Sequence, residues 1–73
     1  MSKIPPLTYS DLAKLLRKHG FHFDRMAKSS HEIWWSPDTK KRLTVPHHSG
    51  SIPIGTIRAI IKATGMDADE FLK

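Results

Sequence analysis

The chain has 73 residues with a formal net charge of +5, from 12 Lys and Arg against 7 Asp and Glu, and it has no cysteine. A chain of this length is expected to form one domain, spanning residues 1–73, without room for a deep substrate cavity. The absence of cysteine excludes disulfides and thiolate zinc sites, and the excess of cations favours a polyanionic partner such as a nucleic acid. No signal peptide or membrane span is recognisable, so we expect a cytosolic protein.

The first predicted element is an amphipathic helix that follows an extended lead-in over residues 1–7. Thr8 offers a side-chain N-cap, Asp11 completes a weak capping box, and Gly20 is suited to end the helix. The residues at helical spacing form one stripe, which contains Leu12, Leu15, Leu16 and His19. We therefore predict a helix that buries this stripe, with His19 packed at its end.

After Gly20 the hydrophobic period changes from 3.6 to 2, which indicates strands. The predicted strands are residues 21–24, 31–35 and 41–45, connected by polar turns at 27–30 and 36–39. The last strand stops at Pro46. Three strands joined by short turns predict an antiparallel meander.

The remainder of the chain predicts two more helices. Residues 46–53 contain two prolines, two histidines, a glycine and two serines, so we expect a loop. A helix should begin at Gly55 or Thr56 and end at Gly65, and Asp67 should cap a short last helix. The order α-β-β-β-α with a small C-terminal helix predicts a two-layer α+β domain whose sheet has one open face.

The alternation of side chains assigns the strand residues to faces. Residues predicted to point toward the helices are Phe21, Phe23, Leu43 and Val45. The middle strand is ambiguous, because Trp35 shares one face with His31 and Ile33, whereas Trp34 shares the other with Glu32. One tryptophan should be structural; the outward one would stack a base or, as we favour slightly, anchor a protein partner.

Three ordered segments of this sequence are together typical of one family. They are LLRKHGF, SSHEIWWSPDTKKRLTVPHHSG and IPIGTIRAIIKATGM. In the first, a helix ends in glycine and an aromatic residue. In the second, a histidine opens an aromatic strand and the segment leads to Val-Pro-His, and the third carries the second helix. In this respect residues 9–66 resemble the HicA-type, or YcfA-like, messenger-RNA interferase toxins. The sequence departs from the family pattern at Ser29, where glycine is usual, and at Ile54, where lysine is frequent.

This resemblance implies a fold like the double-stranded-RNA-binding domain, metal-free cleavage of messenger RNA without a cofactor, and a HicB-type antitoxin as partner. His31 matches the family's catalytic histidine. The composition agrees with this choice, because a chain without cysteine and with two glutamates has few other groups that move protons near neutral pH.

RNA carries its own nucleophile, so cleavage needs a base, an acid and cations around the phosphate. We expect Lys28, Lys40 and Arg42 to lie close to His31 in the folded meander. The full set of candidate RNA contacts is Lys28, Ser29, Ser30, Lys40, Arg42, His47 and Lys62, while Trp34 and Trp35 are candidate partner-interface residues. His47 and His48 lack further ligands at a suitable spacing, so no metal site is predicted.

Two other functions compete with the ribonuclease. The chain would otherwise be an RNA-binding module that does not cut, with His31 a simple contact, or a small basic domain that binds an acidic protein. Substitution of His31 separates the ribonuclease from the RNA-binding module, because only a ribonuclease would lose cleavage while it retains binding.

Overall fold

A computed structural model describes residues 4–28, 30–47 and 50–73. The order of elements is β1 (Leu7–Thr8), α1 (Tyr9–Lys18), β2 (His22–Met26), β3 (His31–Ser36), β4 (Lys41–Pro46), β5 (Ser51–Ile52), α2 (Ile54–Thr64) and α3 (Ala68–Phe71). This is the predicted α-β-β-β-α order of a double-stranded-RNA-binding-like α+β fold, with a small ribbon added.

Helix α1 begins with the predicted capping box. The Asp11 backbone N–H donates to Thr8 Oγ1 at 3.2 Å, and the Thr8 backbone N–H donates to Asp11 Oδ2 at 3.2 Å. The bond from the Thr8 N–H also lowers the pKa of the Asp11 carboxyl, since it stabilises the charged form. At the other end the His19 ring stacks on the Phe71 ring of α3 at 5.4 Å, as expected for a packed histidine.

The three-stranded sheet has the order β2-β3-β4 and is antiparallel throughout. The register pairs His31 with Pro46 at one end of the β3–β4 hairpin and Ser36 with Lys41 at the other. Alternation along β3 buries Glu32, Trp34 and Ser36 and leaves the intervening residues partly or fully exposed. The middle strand thus turns Trp34 toward the helices and Trp35 toward the open face.

The core lies between this sheet and the helices. Phe21, Leu43 and Val45 are buried there, as predicted, together with Leu12 and Leu16 of α1. The core also contains Ile57, Ile60 and Ile61 of α2, which packs against β4. Phe23 lies on the predicted face, because it pairs with Trp34, but it is 49% exposed and so lies outside the core. Its strand, β2, is the sheet edge and all five of its residues are exposed.

A two-stranded ribbon between β1 and β5 was not predicted. Leu7 pairs with Ile52 and Thr8 with Ser51, and both apolar residues of this ribbon are buried. The sequence predicted a lead-in and a loop here, since two-residue strands flanked by prolines carry no measurable period. The ribbon ties the start of the chain to the segment that precedes α2.

The C-terminal helices follow the prediction with small shifts of their bounds. Helix α2 begins at Ile54, one residue before Gly55, the first of the two predicted starts, and its last residue is Thr64. Gly65 follows as the C-cap, and its φ of 81° is the left-handed conformation expected for a C-terminal glycine. Asp67 caps α3 by accepting a hydrogen bond from the Glu70 backbone N–H. Within the residues described, no helix is both long enough and apolar enough to cross a bilayer.

Candidate active site at one end of the hairpin

His31 is the first residue of β3 and is exposed. Its backbone N–H donates to the Lys28 carbonyl at 3.3 Å, and its ring Nδ1 lies 3.2 Å from the same oxygen. A carbonyl can only accept, so this contact favours the tautomer with the proton on Nδ1. The lone pair of Nε2 is then available to take a proton.

The turn between β2 and β3 holds the backbone of His31 by hydrogen bonds to both its N–H and its carbonyl. The Ala27 backbone N–H donates to the His31 carbonyl at 2.6 Å, which closes the turn at the strand ends. Ser30 has a φ of 63°, a left-handed conformation that is uncommon outside glycine. Ser29, the candidate RNA contact that departs from the family's glycine, lies outside the described residues. Lys28 is exposed in this turn, and its backbone carbonyl is the group that contacts His31. The role of its ammonium at the site stays a prediction.

His47 lies at the same end of the hairpin as His31. Its backbone N–H donates to the Ser30 carbonyl at 2.9 Å, one position beyond the His31–Pro46 pair. Its ring sits 4.9 Å from the Tyr9 ring at the start of α1. The two histidines therefore flank one edge of the fold, His31 from the open face and His47 from the side of the helices. His48 lies outside the described residues.

The strand residue after His31, Glu32, has a buried carboxylate on the side of the sheet that faces the helices. Glu32 is 6% exposed, and its Oε1 accepts hydrogen bonds from the Tyr9 hydroxyl at 2.6 Å and from the Trp34 Nε1–H at 2.8 Å. Burial, followed by the bond to Glu32, raises the pKa of Tyr9 to about 12. Tyr9 thus remains a donor at neutral pH, and the network joins α1 to β3 beneath the site. Sequence alternation placed Glu32 and Trp34 on one face but did not identify Tyr9 as their partner.

The prediction that Lys40 and Arg42 lie close to His31 is wrong. Lys40 is in the β3–β4 turn, and Arg42 pairs with Trp35, so both occupy the end of the hairpin opposite His31. Five residues of extended strand separate the two ends by roughly 16 Å, at about 3.3 Å per residue. Arg42 is also engaged, since its guanidinium lies 5.2 Å from the Trp35 ring and 3.2 Å from Asp24 Oδ2.

The two tryptophans have different environments. Trp34 is 1% exposed, so its assignment to a partner interface is wrong; its indole is committed to the core and to Glu32. Trp35 is half-buried on the open face of the sheet, with Arg42 over its ring. Trp35 is accordingly the outward tryptophan that the sequence left undecided.

The remaining candidate contact, Lys62, is exposed on α2. It projects from the polar face of a helix that packs on β4, as predicted, and its contact with RNA stays a prediction. Among the residues that the structure describes, no group of three His, Asp or Glu side chains is arranged to hold a metal ion. The site is thus an exposed imidazole that follows an exposed lysine in the same short turn.

A family model described as the HicA toxin of bacterial toxin–antitoxin systems matches residues 9–66. A search of curated proteins finds no significant match. The matched range covers most of the chain and includes α1, the three-stranded sheet and α2.

Proposed function

The chain belongs to the HicA toxin family of bacterial toxin–antitoxin systems, and from this premise we propose that it is an endoribonuclease that cleaves messenger RNA with His31. The observation that carries the proposal is the exposed imidazole of His31, whose Nδ1 faces a carbonyl and whose Nε2 is therefore basic. An exposed site of this kind suits a long polymer that binds on the surface.

In the proposed reaction, His31 Nε2 takes the proton from a ribose 2′-hydroxyl. The 2′-oxygen then forms a bond to phosphorus while the bond from phosphorus to the 5′-oxygen breaks, and the leaving oxygen takes up a proton from solvent water at this exposed site. The products are a 2′,3′-cyclic phosphate and a free 5′-hydroxyl. Lys28 adjoins His31 and would stabilise the extra negative charge on the phosphorane.

The partner we propose is a HicB-type antitoxin. A toxin of this family implies a protein that neutralises it, and a small exposed site requires that protein to cover or distort it from outside. Trp35, half-buried and outward, is the proposed anchor for a partner on the open face.

Cleavage should persist in excess EDTA, because the mechanism uses the RNA's own hydroxyl and an imidazole in place of a metal-bound water. The measurement is cleavage of a labelled RNA by protein that has been dialysed against chelator, with end-group analysis of the products. We expect 2′,3′-cyclic phosphate ends, or 3′-phosphates where the ring has opened. Activity that disappears with chelator and returns with a divalent ion contradicts the proposal.

Affinity for RNA should fall with salt, and Lys28 should contribute more to this dependence than Arg42. Each phosphate contact to single-stranded RNA contributes about 0.7 to the slope of log K against log salt. Lys28→Ala should therefore reduce the slope by about 0.7, whereas Arg42→Ala should reduce it less, because the Arg42 charge is already paired with Asp24.

The measurement is binding of an RNA with 2′-deoxy substitutions, which the enzyme cannot cut, at several salt concentrations. His31→Ala is the control that should leave the slope unchanged, since the role proposed for His31 is proton transfer and not neutralisation of a phosphate charge. A wild-type slope near zero argues against RNA as the partner of the basic surface.

A further inference from the structure

Strand β2 carries two large apolar side chains that the fold does not cover. Phe23 and Met26 are each 49% exposed. We call this pair, together with the free side of the β2 backbone, the β2 ledge. The Phe23 ring meets the buried Trp34 ring edge-on at 6.3 Å, so the ledge is continuous with the core.

A β-bulge places these two side chains on one face. Phe23 pairs with Trp34 and Met26 with Glu32, both of which face the helices, and the register shifts between Phe23 and Arg25. In a regular strand, residues three apart point to opposite faces. The extra residue therefore aligns Phe23 with Met26 on the side of the sheet that carries the helices, where β2 is left bare.

The backbone of β2 is paired along one side. Across the described residues the sheet order is β2-β3-β4, so the outer side of β2 presents N–H and C=O groups without a ladder partner. A row of alternating donors and acceptors matches another extended polypeptide and does not match the uniformly anionic backbone of RNA.

The charges around the ledge are mostly positive. The Arg17 guanidinium lies 5.5 Å from the Trp34 ring that Phe23 touches, and Lys28 follows two residues after Met26. The nearby acids are already engaged, because Asp24 accepts from Arg25 at 2.6 Å and Glu32 accepts from Tyr9 and Trp34. Two copies of this edge would repel each other, whereas an acidic chain would be attracted.

We propose that the β2 ledge is the docking site for an extended, acidic segment of the antitoxin, which adds as a strand to β2 and packs apolar side chains on Phe23 and Met26. The inference rests on the proposed function only in naming the antitoxin as the occupant. It places this contact on a strand that carries none of the residues proposed for cleavage.

The test uses the protein encoded by the reading frame that adjoins this chain's gene. That protein is expressed separately and titrated into this chain in a calorimeter. Phe23→Ser/Met26→Ser should weaken binding at least tenfold, since truncated anchors of an interface typically cost this much or more. The matched control is Ile54→Ser, which removes an apolar side chain of similar exposure, 45%, from the start of α2 and should bind as wild type does.

Hydrogen exchange on the wild-type complex gives a measurement that does not depend on a variant. The amides of residues 22–26 should gain protection when the partner binds. RNA cleavage by Phe23→Ser/Met26→Ser, measured without the partner, should equal that of wild type, which separates a failure here from a failure of the ribonuclease proposal.

Several results overturn the inference. These are equal affinity of wild type and the double variant, unchanged exchange in β2, and no binding of the adjoining gene product to wild type. Concentration-dependent self-association that the double variant abolishes would assign the ledge to a second copy of this chain. Loss of RNA binding in the double variant would assign it to RNA.

Discussion

His31→Ala is expected to reduce RNA cleavage at least 100-fold while RNA binding and the fold are retained. A positioned general base contributes about 10²- to 10⁴-fold to a rate, and His31 is the one residue we assign to that role. The side chain is exposed, and the variant loses only an exposed contact between the ring and the Lys28 carbonyl while the backbone bonds remain, so it should melt close to wild type. Initial rates on a labelled RNA and thermal melts followed by circular dichroism measure the two effects.

The matched control is His22→Ala. His22 is an exposed histidine on the open face of the same sheet, opposite Trp35, and has no role in the proposed reaction. It should cleave at the wild-type rate. Equal activity of both variants and wild type would remove His31 from catalysis and favour the RNA-binding module that does not cut.

Glu32→Ala should lower the free energy of unfolding by about 3 kcal/mol. The substitution removes the acceptor of two donors, the Tyr9 hydroxyl and the Trp34 Nε1–H. Each buried donor that loses its partner costs about 1–3 kcal/mol. A domain of this size has a free energy of unfolding of about 4–11 kcal/mol, so much of the stability would be lost. Urea unfolding at neutral pH measures the change. A variant as stable as wild type would show that the network contributes little.

Tyr9→Phe provides a graded comparison in the same network. It removes one of the two donors and should cost about 1 kcal/mol at neutral pH. The folded-state pKa of Tyr9 is raised from 10.0 to about 12, so the stability that this hydroxyl contributes is fully present below pH 10 and lost as the pH rises toward 12. The difference in free energy of unfolding between wild type and Tyr9→Phe should shrink over that interval.

Local rules were sufficient for much of the fold. The capping box at Thr8, the left-handed Gly65 and the meander follow from side chains close in sequence. Alternation assigned Phe23 to the face that carries the helices, and the register agrees, but alternation does not report whether anything covers that face at the sheet edge. The bulge beside Phe23 is set by tertiary packing, so the sequence pattern does not contain it.

The surroundings of the candidate site were less predictable than its turn. The resemblance to the family singled out His31 among five histidines, and its catalytic role stays a prediction. The short turn does bring the Lys28 carbonyl to the His31 ring. Lys40 and Arg42 were misplaced because nearness in sequence was taken for nearness in space, whereas a hairpin carries its turn to the far end. The Tyr9–Glu32 bond joins residues far apart in the chain, and only the folded structure reveals it.

The β1–β5 ribbon has a consequence for the order in which the protein assembles. The meander needs only short loops to close, whereas the ribbon joins segments separated by most of the chain, and closing a longer loop costs more entropy. His47 lies between β4 and this ribbon in the chain, and its ring contacts that of Tyr9, the residue that directly follows the ribbon's other strand. We therefore expect this flank of the proposed site to form late in folding and to open early, so that a nascent or partly unfolded chain would have its meander before the proposed site is complete.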